Sequence, residues 1–310
     1  MQKLHLDTDL GGDIDDLCAL AMVLNWPGVE LTGITTVAES GGKRAGYVRY
    51  ALEVAGRKDI PVAPGADIAQ GHYRHWQPGF PEESAYWPEP IRPVPGRIEE
   101  ALALLKSSIE AGATIAAIGP FTNLALLEQR SPGLLGSARL VLMGGYLYPP
   151  RSGFPQWVPE QDYNVQVDPQ SAQIVFEHSR PTVVPLSVTV ETALRRAHLP
   201  VLLEASAMGQ LIGRQAEAFA SDEGMEARFG RTCERVPHDI INFLHDPLAC
   251  AIALGWDQSV EIRELRVKTA IKDGWLSQTE DRAGKPTRVV TSIDGSQFSE
   301  FWLSTVAGKS

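Results

Sequence analysis

The 310-residue chain carries 28 Lys and Arg against 38 Asp and Glu, a net charge of −10, and 44% of its residues are hydrophobic. That balance suits a globular protein with a large core and argues against a nucleic-acid binder working through a basic face. No apolar run approaches the ~20 residues needed to span a bilayer, and the cysteines, Cys18, Cys233 and Cys250, fall in no metal-binding spacing. Reduced thiols and a cytoplasmic setting are expected. Residues 1–6 run straight into an acidic cluster, so no signal peptide is expected.

Taken in order, the pattern alternates strands and helices. A short apolar strand ends at Asp7-Thr8-Asp9. A helix follows over Asp16–Asn25, a β-branched strand over Glu30–Thr36, a helix over Arg44–Ala55 and a short strand over Pro61–Ala63. This rhythm predicts an α/β fold, an open, mostly parallel sheet with helices on both faces. Residues 70–95 break it with His72, His75, Trp76, Trp87 and many prolines, a long aromatic loop that suits function or subunit contact. Arg97–Ala111 is an amphipathic helix, Thr114–Ile118 a buried strand, Thr122–Gln129 a helix and Ala138–Met143 a strand closed by Gly144-Gly145. Asp168-Pro169 begins a helix by the Asp cap and Pro rule, and Thr182–Pro185 is one more strand. Leu199–Leu254 reads as mostly helical, with Asp246-Pro247 repeating the helix-start signal. Val260–Ala270 and Thr287–Ser292 read as edge strands, and Ser296–Val306 as the closing helix. No linker or repeat divides the chain, so one domain over residues 1–310 is expected.

The chemistry gathers between Leu4 and Leu20, where five of seventeen residues are Asp: Asp7, Asp9, Asp13, Asp15 and Asp16. A helix cap accounts for one or two of these. Five carboxylates at one strand end repel each other unless a cation compensates, and all-oxygen ligands suit calcium or magnesium. Strand ends near Asp9, Ile118 and Gly144 should face one crevice.

Together the motifs resemble the calcium-dependent nucleoside hydrolases of the inosine–uridine-preferring type. Four stretches carry the resemblance: Asp7-Thr8-Asp9 with Asp15-Asp16; Ile118-Gly119-Pro120-Phe121-Thr122-Asn123; Leu142-Met143-Gly144-Gly145 with Asp162-Tyr163-Asn164 and Asp168-Pro169; and His245-Asp246-Pro247. The resemblance implies calcium held by Asp9, Asp16, Asp246 and the Ile118 carbonyl. It implies sugar contacts from Asp15, Met143, Gln156, Asp162 and Asn164. It also implies hydrolysis of the N-glycosidic bond of a nucleoside, with Asp9 as base toward a calcium-bound water and His245 as acid toward the leaving base, in a homodimer or homotetramer. The chain departs from the family pattern in three places. Its second Asp pair comes two residues late, Glu39-Ser40 stands where Gly-Asn is usual, and Asp162 replaces a Glu. Tyr163, Trp157, His72, His75 and Phe229 are candidate base partners, and Arg228 and Arg231 candidate anion partners. Two other readings remain at this point. One is a calcium-stabilised nucleoside- or sugar-binding protein without turnover. The other is a haloacid-dehalogenase-type phosphatase with Asp7 as nucleophile.

Overall fold

The structure is a computed structural model and describes residues 1–67 and 81–308. In chain order its elements are β1 (Gln2–Thr8), α1 (Asp15–Asn25), β2 (Val29–Thr36), α2 (Lys43–Val54), β3 (Val62–Pro64), α3 (Glu83–Tyr86), α4 (Ile98–Glu110), β4 (Thr114–Ala117), α5 (Thr122–Arg130), α6 (Leu134–Ser137) and β5 (Arg139–Met143). Then come α7 (Tyr163–Gln166), α8 (Pro169–His178), β6 (Thr182–Val184), α9 (Leu186–Thr189), β7 (Leu194–Arg195), α10 (Leu199–Ala205) and α11 (Ala207–Glu223). The chain closes with β8 (Ile240–Asn242), α12 (His245–Ala253), β9 (Glu261–Lys272), β10 (Trp275–Glu280), β11 (Lys285–Ser292) and α13 (Gly295–Val306).

Nine strands form one sheet in the order β10-β9-β11-β6-β5-β4-β1-β2-β3. From β3 to β11 the neighbours run parallel, and β9 is antiparallel to both β11 and β10. The expected α/β architecture is therefore present, and its order places the switch in winding direction beside β1. Two apolar clusters fill the two faces. On β1, Leu4 and Leu6 are wholly buried toward α1 and α12, while His5 and Asp7, also wholly buried, point the other way. From Leu4 on the strand has no solvent face, so its polar side chains pair internally. His5 meets the Ser108 hydroxyl at 2.9 Å and the Thr35 hydroxyl at 3.0 Å, and Thr35 donates to Asp7 at 2.5 Å. Burial pushes His5 down to about 3, so its ring is neutral at pH 7.

The strands differ from the sequence expectation in three places. The two strands expected at an edge, β9 and β11, are interior, because β10 covers β9 and β11 pairs with both β9 and β6. Ile240–Asn242, expected within a helix, is extended and pairs with Leu194–Arg195. Strand β10 was not expected. It folds back on β9 through Asp273-Gly274, both at positive φ, a hairpin signal that the sequence does carry. Of the long aromatic loop, only residues 81–95 are described. His72, His75 and Trp76 lie outside the described residues. Among the described residues no helix is long and apolar enough to cross a membrane.

Candidate active site

The carboxyl ends of β1, β4 and β5 open into a cavity of about 830 Å³, within the range of small-molecule sites. After β1 the chain turns through Gly11, at φ +115° and close against Tyr47, and starts α1 at Asp15. Asp15 and Asp16 thus occupy the first turn of α1, where a helix favours negative charge. Asp246 occupies the first turn of α12 and faces them. Carboxylate oxygens of Asp15, Asp16 and Asp246 all lie within 4.8 Å of one another, and all three residues are buried. The Asp246 amide donates to Asp15 Oδ2 at 3.2 Å, and the Thr8 hydroxyl donates to Asp16. Burial first, and then repulsion from neighbouring carboxylates, Asp9 and Asp13 included, push all three carboxyls well above their ordinary value. Three crowded carboxylates with few hydrogen bonds are a poor resting state for a protein and a good one for a hard cation. The set therefore fits a divalent cation such as calcium.

Asp9 stands beside this trio. Its Oδ2 lies 3.9 Å from Arg44 Nη2, and Gly119 packs so closely that a Cβ there would approach Asp9 Oδ1 to 2.7 Å. Burial raises the Asp9 carboxyl and the Arg44 charge opposes that rise. The Ile118 carbonyl accepts from Asn164 Nδ2 at 2.7 Å, and the same amide reaches the Met143 carbonyl at 3.2 Å. Asn164 thus ties the ends of β4 and β5 together. Asp162 accepts from the Gly145 amide at 2.5 Å and the Val165 amide at 3.3 Å, and burial pushes its carboxyl up to about 6. Gly144 and Gly145 make this possible, with φ of +131° and +107° that side chains rarely tolerate.

Asp9, Asp15, Asp16, Ile118, Met143, Asp162, Asn164, His245 and Asp246 all line the one cavity. Gln156 does not. It is exposed, and its amide is spent on the carbonyls of Phe154 at 2.9 Å and Arg151 at 3.1 Å within its own loop. Gln161 lines the cavity from that side instead. Tyr163, Trp157, Phe229 and Arg228 line it as well, while Arg231 pairs with Glu226 outside it. Asp7 also stays out, wholly buried behind β1 and held by Thr35 and Asn123. A nucleophile must reach its substrate, so the phosphatase reading loses its central residue.

His245 sits against Trp157 and Phe243, with ring centroids 5.9 and 5.5 Å away, and its Nδ1 meets the Thr189 hydroxyl at 2.6 Å. Burial among these rings pushes it down to about 3, so at pH 7 it is a neutral imidazole with Nε2 left for another partner. Sequence reasoning missed several lining residues: Arg44, Tyr86, Phe219, Asp222, Glu223, Asn242 and Phe243. Asn242 was foreseeable only from β8, where strand pairing turns its amide onto Asp13.

A family model described as inosine-uridine preferring nucleoside hydrolase matches residues 4–300. The chain belongs to that family. A pyrimidine-specific ribonucleoside hydrolase RihA of Salmonella paratyphi A is 33% identical over 205 residues, 63% of this chain and 63% of the relative. The RihA of Escherichia coli is 33% identical over 189 residues, 58% of each. The chain thus matches less than two thirds of the length of these relatives. Among solved structures, the purine-preferring ribonucleoside hydrolase from Gardnerella vaginalis superposes with a TM-score of 0.76 at 22% identity over 99% of both chains. The plant nucleoside hydrolase PpNRh1 gives 0.75 at 19% identity, again over 99% of both. At those identities the likeness speaks to the shared fold.

Proposed function

We propose that this protein hydrolyses the N-glycosidic bond of nucleosides, releasing free base and ribose. The observation that supports the reading most is the convergence of Asp15, Asp16 and Asp246 beside Asp9, on the floor of a cavity walled by aromatic rings. Asp9, Asp16, Asp246 and the Ile118 carbonyl would hold calcium, and Asp15 is close enough to share it. The ion, when bound, supplies a Lewis acid that orients sugar hydroxyls and acidifies water.

The residues of the chain divide the remaining work. Asp9 accepts a proton from the attacking water as the water oxygen bonds to the anomeric carbon. The C–N bond breaks and its electron pair leaves with the base. Positive charge develops on the ring, as in other glycosyl transfers, and the surrounding carboxylates stabilise it. Asp15, Asp162 and Asn164 would fix the sugar, with Met143 beneath it. Trp157, Phe229 and Phe243 offer faces and edges to the base. His245, neutral at rest, would meet the departing base through Nε2, taking a proton from solvent as negative charge builds there and passing it to the base nitrogen as the C–N bond breaks.

The test is a reducing-sugar assay over purine and pyrimidine nucleosides, with and without a chelator. The panel spans both base classes because the relatives divide between pyrimidine-specific and purine-preferring enzymes. Cation-dependent sugar release is the expected result. Tight nucleoside binding without release would favour the non-catalytic binder instead. The whole chain acts as one unit in this reading. The unpaired state of Cys18, Cys233 and Cys250 supports a cytoplasmic location, and a homo-oligomer is the expected assembly.

A further inference from the structure

The family resemblance leads one to expect an amide after β2, where this chain has Glu39-Ser40. Neither residue lines the cavity. Glu39 is buried and turned back into its own loop, accepting from the Thr36 hydroxyl at 2.7 Å and the Ala45 amide at 2.6 Å. It thereby fastens the start of α2. What this loop and helix send into the cavity is Arg44. Its side chain is only 2% exposed, its Nε donates to the Ala38 carbonyl at 2.8 Å, and its Nη2 stands 3.9 Å from Asp9 Oδ2. Gly12 leaves room beside it, since a Cβ at Gly12 would come no nearer than 3.8 Å to the guanidinium.

We infer that Arg44 is a sugar-specificity residue, which donates to a substrate hydroxyl that in turn donates to Asp9. The inference rests on the nucleoside reading above. The chemistry of the wall supports it. Asp9, Asp15, Asp16, Asp162 and Asp246 are acceptors when ionised, and guanidinium is a donor only. The Asn164 amide group is already committed to the Ile118 and Met143 carbonyls. Among the described lining residues the cationic side chains are Arg44 and Arg228, and Arg228 pairs with Glu223 at 2.8 Å while lying 5.2 Å over the Phe229 ring. On the sugar side, then, Arg44 supplies the charged donor. A separation of 3.9 Å is too long for a direct hydrogen bond. It is the right span for one bridging oxygen. A hydroxyl oxygen ~2.7 Å from the carboxylate and ~2.9 Å from the guanidinium sees the two at about a right angle. A hydroxyl can serve both at once, and a ring carbon lacking one can serve neither.

The experiment uses the full chain with calcium present. Arg44→Met and Arg44→Gln are compared with wild type for kcat/KM on the best nucleoside of the panel and on its 2′-, 3′- and 5′-deoxy analogues. Calorimetric binding of D-ribose, 2-deoxy-D-ribose, 3-deoxy-D-ribose and 5-deoxy-D-ribose is measured alongside. Arg44→Met should lose about 10–100-fold on the parent nucleoside and on D-ribose, the range of one charge-assisted hydrogen bond. On the analogue lacking the shared hydroxyl the same substitution should cost nothing further. Arg44→Gln should recover part of the loss. Thermal melts and calcium titration of both variants report whether fold and cation site survive. Should Arg44→Met fail to fold, the same comparison on Arg44→Gln decides. Equal losses on the parent and on every analogue, or no loss at all, overturn the inference. If wild type releases sugar from no nucleoside, the proposed function fails by itself, and the sugar-binding comparison still decides Arg44. Absence of D-ribose binding in that case would overturn both.

Discussion

Asp246→Asn should reverse sign with calcium. In the cation-free protein Asp246 faces two buried carboxylates, Asp15 and Asp16, with oxygens within 4.8 Å. Two unit charges at that separation repel by about 3.5 kcal/mol at an effective dielectric constant of ~20. Relief of one such repulsion makes the variant more stable than wild type in chelator by roughly 3.5 kcal/mol. At roughly 2 °C per kcal/mol for a chain of this size, that is about 7 °C in Tm. Calcium reverses the order. A ligand at about 100 times its Kd stabilises by ~2.7 kcal/mol, and at about 1,000 times by ~4.1 kcal/mol, whereas the variant has lost a ligand and should gain little. The two Tm curves should cross between those concentrations in a calcium titration followed by scanning calorimetry. The pH dependence has a definite sign too. These carboxyls are raised on folding, as are Asp162, to about 6, and Asp7, to about 7. These five carboxyls outnumber His5 and His245, which burial lowers to about 3 and which act the opposite way, so the folded state on balance binds more protons than the unfolded one above the ordinary value of 3.8. In chelator, stability should fall as pH rises from about 4 through 7. A variant less stable than wild type in chelator and still stabilised by calcium would refute the cation-site reasoning.

Three shorter expectations follow. Asp9→Ala should lower kcat far more than it weakens nucleoside binding, measured by calorimetry beside single-turnover rates, since it removes the base as well as a cation ligand and a hydroxyl acceptor; near wild-type turnover would pass the base role to another acid such as Asp13. His245→Ala should slow natural nucleosides by about 10²–10⁴-fold and p-nitrophenyl riboside hardly at all, because p-nitrophenolate leaves unaided. Equal losses on both would assign His245 to packing against Trp157 and Phe243. Gly119→Ala places a Cβ 2.7 Å from Asp9 Oδ1 and from Val37 Cγ1. It should cost roughly 1–3 kcal/mol in denaturant unfolding and displace Asp9 enough to depress turnover, and an unchanged variant would mean that Asp9 tolerates movement.

The centre of the sheet was legible because β4 and β5 are buried on both faces and read as apolar runs ending in Gly, and β1 as a short apolar run ending in Asp. The acids of the site were legible for a related reason, since helix starts such as Asp15-Asp16 and Asp246-Pro247 announce themselves locally. What escaped was anything that depends on which segments meet. Arg44 reads as one more charge on a polar helix, and only the inward fold of Glu39 and the position of α2 make it part of the cavity wall. Gln156 failed the opposite way. It had the right chemistry, but its amide is consumed by its own loop. The aromatic wall draws on Trp157, Phe229 and Phe243, three segments whose convergence no spacing encodes.

The partners across the acidic floor, Asp15 and Asp246, are 231 residues apart in the chain. An ion shared between them is therefore a reversible cross-link between the first and twelfth helices, closing a loop of most of the protein. Closing a loop of that length costs the chain considerable entropy, although the cost grows only slowly with length. An ion bound only when α1 and α12 are docked favours the docked state by its own binding free energy. Release of the ion and loosening of the two helices then become one equilibrium viewed from two ends. For such a site, cation affinity and the rigidity of the fold around it could not be tuned independently.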